Sequence, residues 1–219
     1  ARLFRQTTSD ESSPPETPTE ILNMFTMVNN QALQQLAMQT SSDELERAVN
    51  SLGLIGIDVE PGFGQPARHA DDRAYFPVYE ACAALNVPVF IMSGPTTPDP
   101  SYNDPAAIGR LAQAFPTLPI VCYHGFYPNV AGILGVAFRH ENVYVVPDMY
   151  LFVAGARDYV EAGNGFLREQ LLFGSSYPFR PIGQSIDDFL ALGFKDGAVE
   201  AVLHDNAARL LKLGPAPAR

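Results

Sequence analysis

From residue 41 onward, short and wholly apolar runs alternate with amphipathic helical stripes, and this alternation restricts the fold more than any other property of the chain. Ser41 and Glu44 form a capping box, Leu45, Ala48, Val49 and Leu52 follow at helical spacing, and Gly53 ends that helix before a β-rich run, Leu54 to Val59. Asp71 and Asp72 are placed to start a second helix, with Val78, Ala81, Cys82 and Leu85 as its buried stripe and Asn86 and Pro88 as its stop. Val89 to Ile91 then reads as a strand. Asp104 is an N-cap with Pro105 at the first helical position, Ile108, Leu111, Ala112 and Phe115 form the inward face, and Pro119 to Tyr123 is the next strand. The pattern continues with a helix over Ile133 to Phe138, a strand over Val143 to Val146, helical Tyr159 to Ala162 and a strand over Leu171 to Phe173. Two helices close the chain, Ile186 to Leu192 and Gly197 to Leu213. Apolar strands separated by amphipathic helices imply a parallel sheet covered by helices, which an open doubly wound sheet and a closed barrel satisfy equally.

With 219 residues and 47% hydrophobic residues, one domain over 1–219 is the simplest count. Residues 7–19, rich in Ser, Thr, Pro and acids, read as a surface loop. The first 50 residues are short for three further βα units of a barrel that typically takes about 250 residues, so either the barrel is incomplete at its N-terminal strands or further segments lie outside these residues. A net charge of −10 argues against a nucleic-acid surface. No run approaches the roughly 20 apolar residues of a membrane helix. Two cysteines in no CxxC spacing suggest a reduced, cytoplasmic setting.

In parallel α/β folds, chemistry gathers at the carboxyl ends of the strands. Those ends read Asp58-Val59-Glu60-Pro61, Met92-Ser93-Gly94, His124-Gly125-Phe126, Pro147-Asp148-Met149 and Ser175-Ser176-Tyr177-Pro178. His124 is either a proton shuttle or a histidine bonded to nearby backbone. Asp148 is an acid/base candidate. Of Asp58 and Glu60, one is expected to face the interior, and both fit loop-capping carboxylates. Arg180 is either a fork for a substrate carboxylate or a surface arginine. Tyr123, Phe126, Tyr127, Tyr150 and Tyr177 would line an aromatic pocket or pack the mouth of a barrel. Ser175-Ser176 lacks the flanks of a nucleophile elbow, and Cys122, inside an apolar strand, reads as a core thiol.

The runs DELERAVNSLGLIGIDVEP, YFPVYEACAALNVPVFIMSG, FPTLPIVCYHG, ENVYVVPD, EQLLFGSSYPF and HDNAARLLKL stand in one order. Together, over residues 43 to 213, they resemble the amidohydrolase-related family of metal-dependent barrel hydrolases and decarboxylases, of the aminocarboxymuconate-semialdehyde decarboxylase type. The most specific segments are FGSSYP and DNAARLL. The resemblance implies an α/β fold of (β/α)8 TIM-barrel type, a small organic acid or lactone as substrate, and a homodimer as assembly.

The metal positions of that family are altered here. Its opening HxH pair has no counterpart; Ala1 to Phe4 is the matching remnant, with Arg2 in place of the second histidine. Met92 stands where a metal-binding histidine is expected, and Ser176 replaces the aspartate of the closing motif. A thioether and a hydroxyl are poor substitutes for imidazole and carboxylate, so no cofactor is expected, the alternative being one divalent metal such as Zn or Mn held by ligands elsewhere. His124 matches the family's strand-end histidine. The resulting expectation is a hydrolase or decarboxylase in which His124 and Asp148 handle protons and Arg180, Tyr177, Met92, Ser176 and Arg2 contact substrate. The alternatives are a non-catalytic relative that uses the pocket for binding or assembly, and a metal-dependent hydrolase whose other ligands lie outside these residues.

Overall fold

The structure, a computed structural model, describes residues 2–5 and 42–213. The loop expected over 7–19, the helical stripes of 18–39 and the capping residue Ser41 lie outside the described residues.

Elements follow one another as the alternation requires. Strand β1 (Arg2–Arg5) precedes α1 (Ser42–Leu52), β2 (Leu54–Val59), α2 (Phe76–Leu85), β3 (Val89–Ile91), α3 (Pro105–Ala114), β4 (Ile120–Tyr123), α4 (Val130–Arg139), β5 (Val143–Val146), α5 (Arg157–Gly163), α6 (Ile182–Leu190), α7 (Ala198–Glu200), a π-helical turn (Ala201–Asp205) and α8 (Asn206–Leu210). Strands β2 to β5 are parallel and adjacent in chain order. Leu171 extends them by a parallel bridge to Val145. Short helical crossovers between neighbouring parallel strands are the repeating unit of a (β/α) barrel. Strand β1 departs from that pattern: it pairs with β2 antiparallel, Arg2 opposite Asp58.

Local chemistry explains the boundaries. The Asp104 carboxylate accepts the Ala106 N–H at 2.9 Å, capping α3 with Pro105 inside its first turn. Asn86 ends α2 in the left-handed conformation. Asp72 caps a 3-10 turn, Arg73–Tyr75, rather than α2 itself, which starts at Phe76. The reason is that Pro77 suits a first helical turn and cannot sit further in.

The strand register sorts the core into two layers. Ile57, Val89, Ile120 and Val143 are in register, and with Val59, Ile91, Cys122 and Val145 they face the covering helices. The opposite face carries Phe90, Val121, Tyr123, Val146 and Leu172, the inner side of the barrel wall. Gly56 belongs to that wall for a steric reason, since a Cβ there would stand 2.5 Å from the Phe90 ring. Among the described residues, Ala207, Leu210 and Leu211 pack onto the inner cluster from the chain's C-terminal end. Asn206, fully buried, donates to the carbonyls of Arg168 at 2.6 Å and Leu171 at 2.8 Å, and Lys212 donates to Asn86 O at 2.8 Å ahead of β3. These acceptors sit where strands begin, so α8 closes the amino ends of the strands. The carboxyl ends, with the candidate site, are opposite. Among the described residues no helix is long and apolar enough to cross a membrane.

Candidate active site

The carboxyl ends of β4 and β5 bring His124 and Asp148 together. His124 Nδ1 lies 2.7 Å from Asp148 Oδ2, off the line of a straight ring N–H···O bond, and the same oxygen accepts the His124 backbone N–H at 3.0 Å. Their side chains are 7% and 6% exposed, so the contact is shielded from solvent and its electrostatics are strengthened. Asp148 Oδ1 is buried with no hydrogen-bond partner among the described residues. Both residues hold positive φ, His124 at 61° and Asp148 at 47°, a conformation that turns a strand-end side chain out of the regular pleat.

Aromatic rings enclose the imidazole. Tyr123 and Tyr150 meet it edge-on, with centroids at 5.3 and 5.5 Å. Tyr127 stacks on Tyr150 at 5.2 Å and ties its hydroxyl to Ala154 O at 3.0 Å. Burial, then the charge of Asp148, raises the Tyr150 phenol above its ordinary pKa, so it stays a neutral hydroxyl at physiological pH.

The expected aromatic lining is therefore only partly assembled. Phe126 lies in the layer between strands and helices, and Tyr177 is 48% exposed. Met92, partly buried, packs against the inner cluster. Ser176 has positive φ and a buried Oγ with no hydrogen-bond partner among the described residues. Gly174, two residues earlier, lies against Asp148: a Cβ there would stand 3.2 Å from Asp148 Cβ. Arg180 is engaged elsewhere, donating to Asp188 and to Ser185 Oγ at 3.4 Å with its guanidinium 4.2 Å above the Phe152 ring. The strand of Arg2 is described, and its side chain lies outside the described residues.

Asp58 corrects the expectation of a loop cap. It lies inside β2, 1% exposed, and accepts the Tyr123 hydroxyl across the inner face. Glu60 lies just past the end of β2, so strand alternation does not decide which way it faces. Sequence reasoning missed Ser93 and Asn103, both buried, which bond to the turn containing His124. A Ser and an Asn at strand and loop ends were visible signals; their partners were not.

The parallel barrel wall covered by helices agrees with the fold of known proteins. The Amidohydrolase family matches residues 26–213. The chain belongs to the Amidohydrolase family. It is 25% identical to the 2-amino-3-carboxymuconate-6-semialdehyde decarboxylase of Dictyostelium discoideum, over 84% of this chain and 60% of that protein. An uncharacterized TIM-barrel protein of Bordetella bronchiseptica is 38% identical, with a TM-score of 0.73 over 79% of this chain and 63% of its own. A dihydroxybenzoic acid decarboxylase of Polaromonas sp. JS666, solved with manganese and the inhibitor 2-nitroresorcinol, shares the fold at 20% identity and a TM-score of 0.62, covering 82% of this chain and 67% of that one. This member of the Amidohydrolase family thus spans under two thirds of the length of the Dictyostelium and Bordetella proteins.

A catalytic divalent metal of this kind needs three or four nitrogen, oxygen or thiolate ligands. Among the described residues no three His, Cys, Asp or Glu side chains are grouped to hold one. Met92 and Ser176 supply a thioether and a hydroxyl, and the His124 ring is turned to Asp148. The described residues do not fit a metal centre of that kind.

Proposed function

We propose that this Amidohydrolase-family barrel hydrolyses or decarboxylates a small organic acid or lactone by acid/base chemistry, without a tightly bound metal. The single observation that carries the reading is the buried contact of His124 with Asp148 at the carboxyl ends of β4 and β5. With Nδ1 beside the carboxylate, Nε2 is the ring nitrogen left to carry a proton to or from substrate. Asp148 holds the ring in place. Tyr127 and Tyr150 offer a flat apolar wall for a planar or conjugated substrate, and Met92, Ser176 and Tyr177 border the same strand ends. Arg180 would meet a substrate carboxylate by leaving Asp188, and Arg2 would add a second positive charge.

The test is turnover of a panel of lactones and unsaturated carboxylates by the purified protein and by His124→Gln. Loss of about 100-fold or more in kcat supports the reading; a variant as active as the parent overturns it. Elemental analysis of active protein addresses the metal: stoichiometric Zn, Mn or Fe would replace this mechanism with a metal-assisted one. No turnover of any panel member would favour a binding or assembly role.

A further inference from the structure

His124, Gly125 and Phe126 hold positive φ in succession, at 61°, 58° and 57°. Only glycine adopts this conformation readily, and two of the three carry side chains, so the turn persists only where its surroundings hold it. Those surroundings are specific. The Ser93 hydroxyl donates to Tyr123 O at 2.6 Å and accepts the Phe126 N–H at 2.9 Å, bracketing the turn at its start and end. Asn103 Nδ2 donates to Phe126 O at 3.3 Å and Tyr127 O at 3.0 Å, while its Oδ1 accepts the Gly94 N–H at 3.0 Å. Tyr159 donates to Gly125 O at 2.7 Å.

We infer that Ser93 and Asn103 are positioning residues that lock the left-handed turn after β4 and so set the His124 imidazole against Asp148. Rested on the acid/base reading of His124, the lock explains why two buried polar side chains from the β3 loop direct these bonds at one short turn. Ser93 also precedes Gly94, whose backbone lies against His124. A shift of this loop therefore moves the ring as well as the turn. Tyr159 supports the middle of the turn from α5, and its large ring is part of the helix-side core, which makes it the poorer probe.

The experiment reads ring position directly. The protein has four histidines, and the ring signals of His124 are assigned by their loss in His124→Gln. Tyr123 and Tyr150 stand edge-on to that ring, so their ring currents displace its carbon-bound proton signals from those of exposed histidines. In Ser93→Ala this displacement should collapse, with kcat on any substrate found above falling about 10- to 100-fold and KM staying within about twofold. Ser93→Thr, which keeps the hydroxyl, should restore both. If Ser93→Ala does not fold, Asn103→Asp gives the same reading, since it loses both donations and keeps an acceptor for Gly94. His124 signals and kcat unchanged in the folded variant would overturn the inference. The ring signals need no substrate, so a failure of the proposed activity leaves the outcome for the lock readable, and an unmoved signal with His124→Gln inactive refutes the lock alone.

Discussion

Gly94 and His124 approach so closely that a Cβ on the glycine would stand 3.0 Å from His124 Cβ. Gly94 also holds φ at 102°, outside the range of ordinary side chains. Gly94→Ala is therefore expected to destabilise the protein by about 1–3 kcal/mol and to push His124 from Asp148. Urea unfolding gives the first effect, and kcat per folded molecule the second. An alanine variant with unaltered stability would show that the loop relaxes freely.

Asp148→Asn keeps an oxygen for the His124 N–H and removes the negative charge beside the ring. We expect near-parental folding and a fall in kcat of about 10²- to 10⁴-fold. Steady-state kinetics with any substrate found for the parent decide this; retained turnover would reduce Asp148 to a structural cap.

At the other end of the strands, Asn206→Ala removes two donations, one to the part-buried carbonyl of Arg168 and one to the buried carbonyl of Leu171. The expected cost is about 2–4 kcal/mol, because the carbonyls are left without the partner. Thermal unfolding should show the loss. Since α8 closes the end remote from His124, kcat per folded molecule should hold; a large fall would mean that the two ends are coupled.

Both described cysteines are buried free thiols, with burial pushing Cys82 up to about 12 and Cys122 higher still. An unfolded cysteine titrates near 8.5. Between about pH 8.5 and 12 the unfolded chain therefore releases thiol protons that the folded chain retains, so stability falls as pH rises, by about 1.4 kcal/mol per pH unit for each thiol once the unfolded form is ionised. Urea midpoints measured from pH 8 to 10.5 should decline, and Cys82→Ala should flatten the decline. A thiol reagent at pH 8 should leave the native protein unmodified and label both thiols after unfolding.

Much of this molecule was readable in its residues, for a physical reason. Helix caps, apolar stripes and strand runs are local, so Asp104 with Pro105, the stop at Asn86 and the strands Leu54–Val59 and Val143–Val146 were found where expected. The order of the six motifs carried the family, and the strand-end rule singled out His124 and Asp148. What tertiary structure alone decided were relations between distant residues. Ser93 and Asn103 lie 23 to 33 positions from the turn atoms they bond, and Asp58 lies 65 from Tyr123. Arg180 turns to Asp188, and Arg2 stands on a strand running antiparallel to β2. Periodicity reports which face of an element is apolar, and says nothing of which polar atoms meet once the elements are packed. The three successive left-handed residues at the end of β4 are the clearest case, since a His-Gly-Phe sequence adopts that turn only because buried partners from the β3 loop and α5 hold it there.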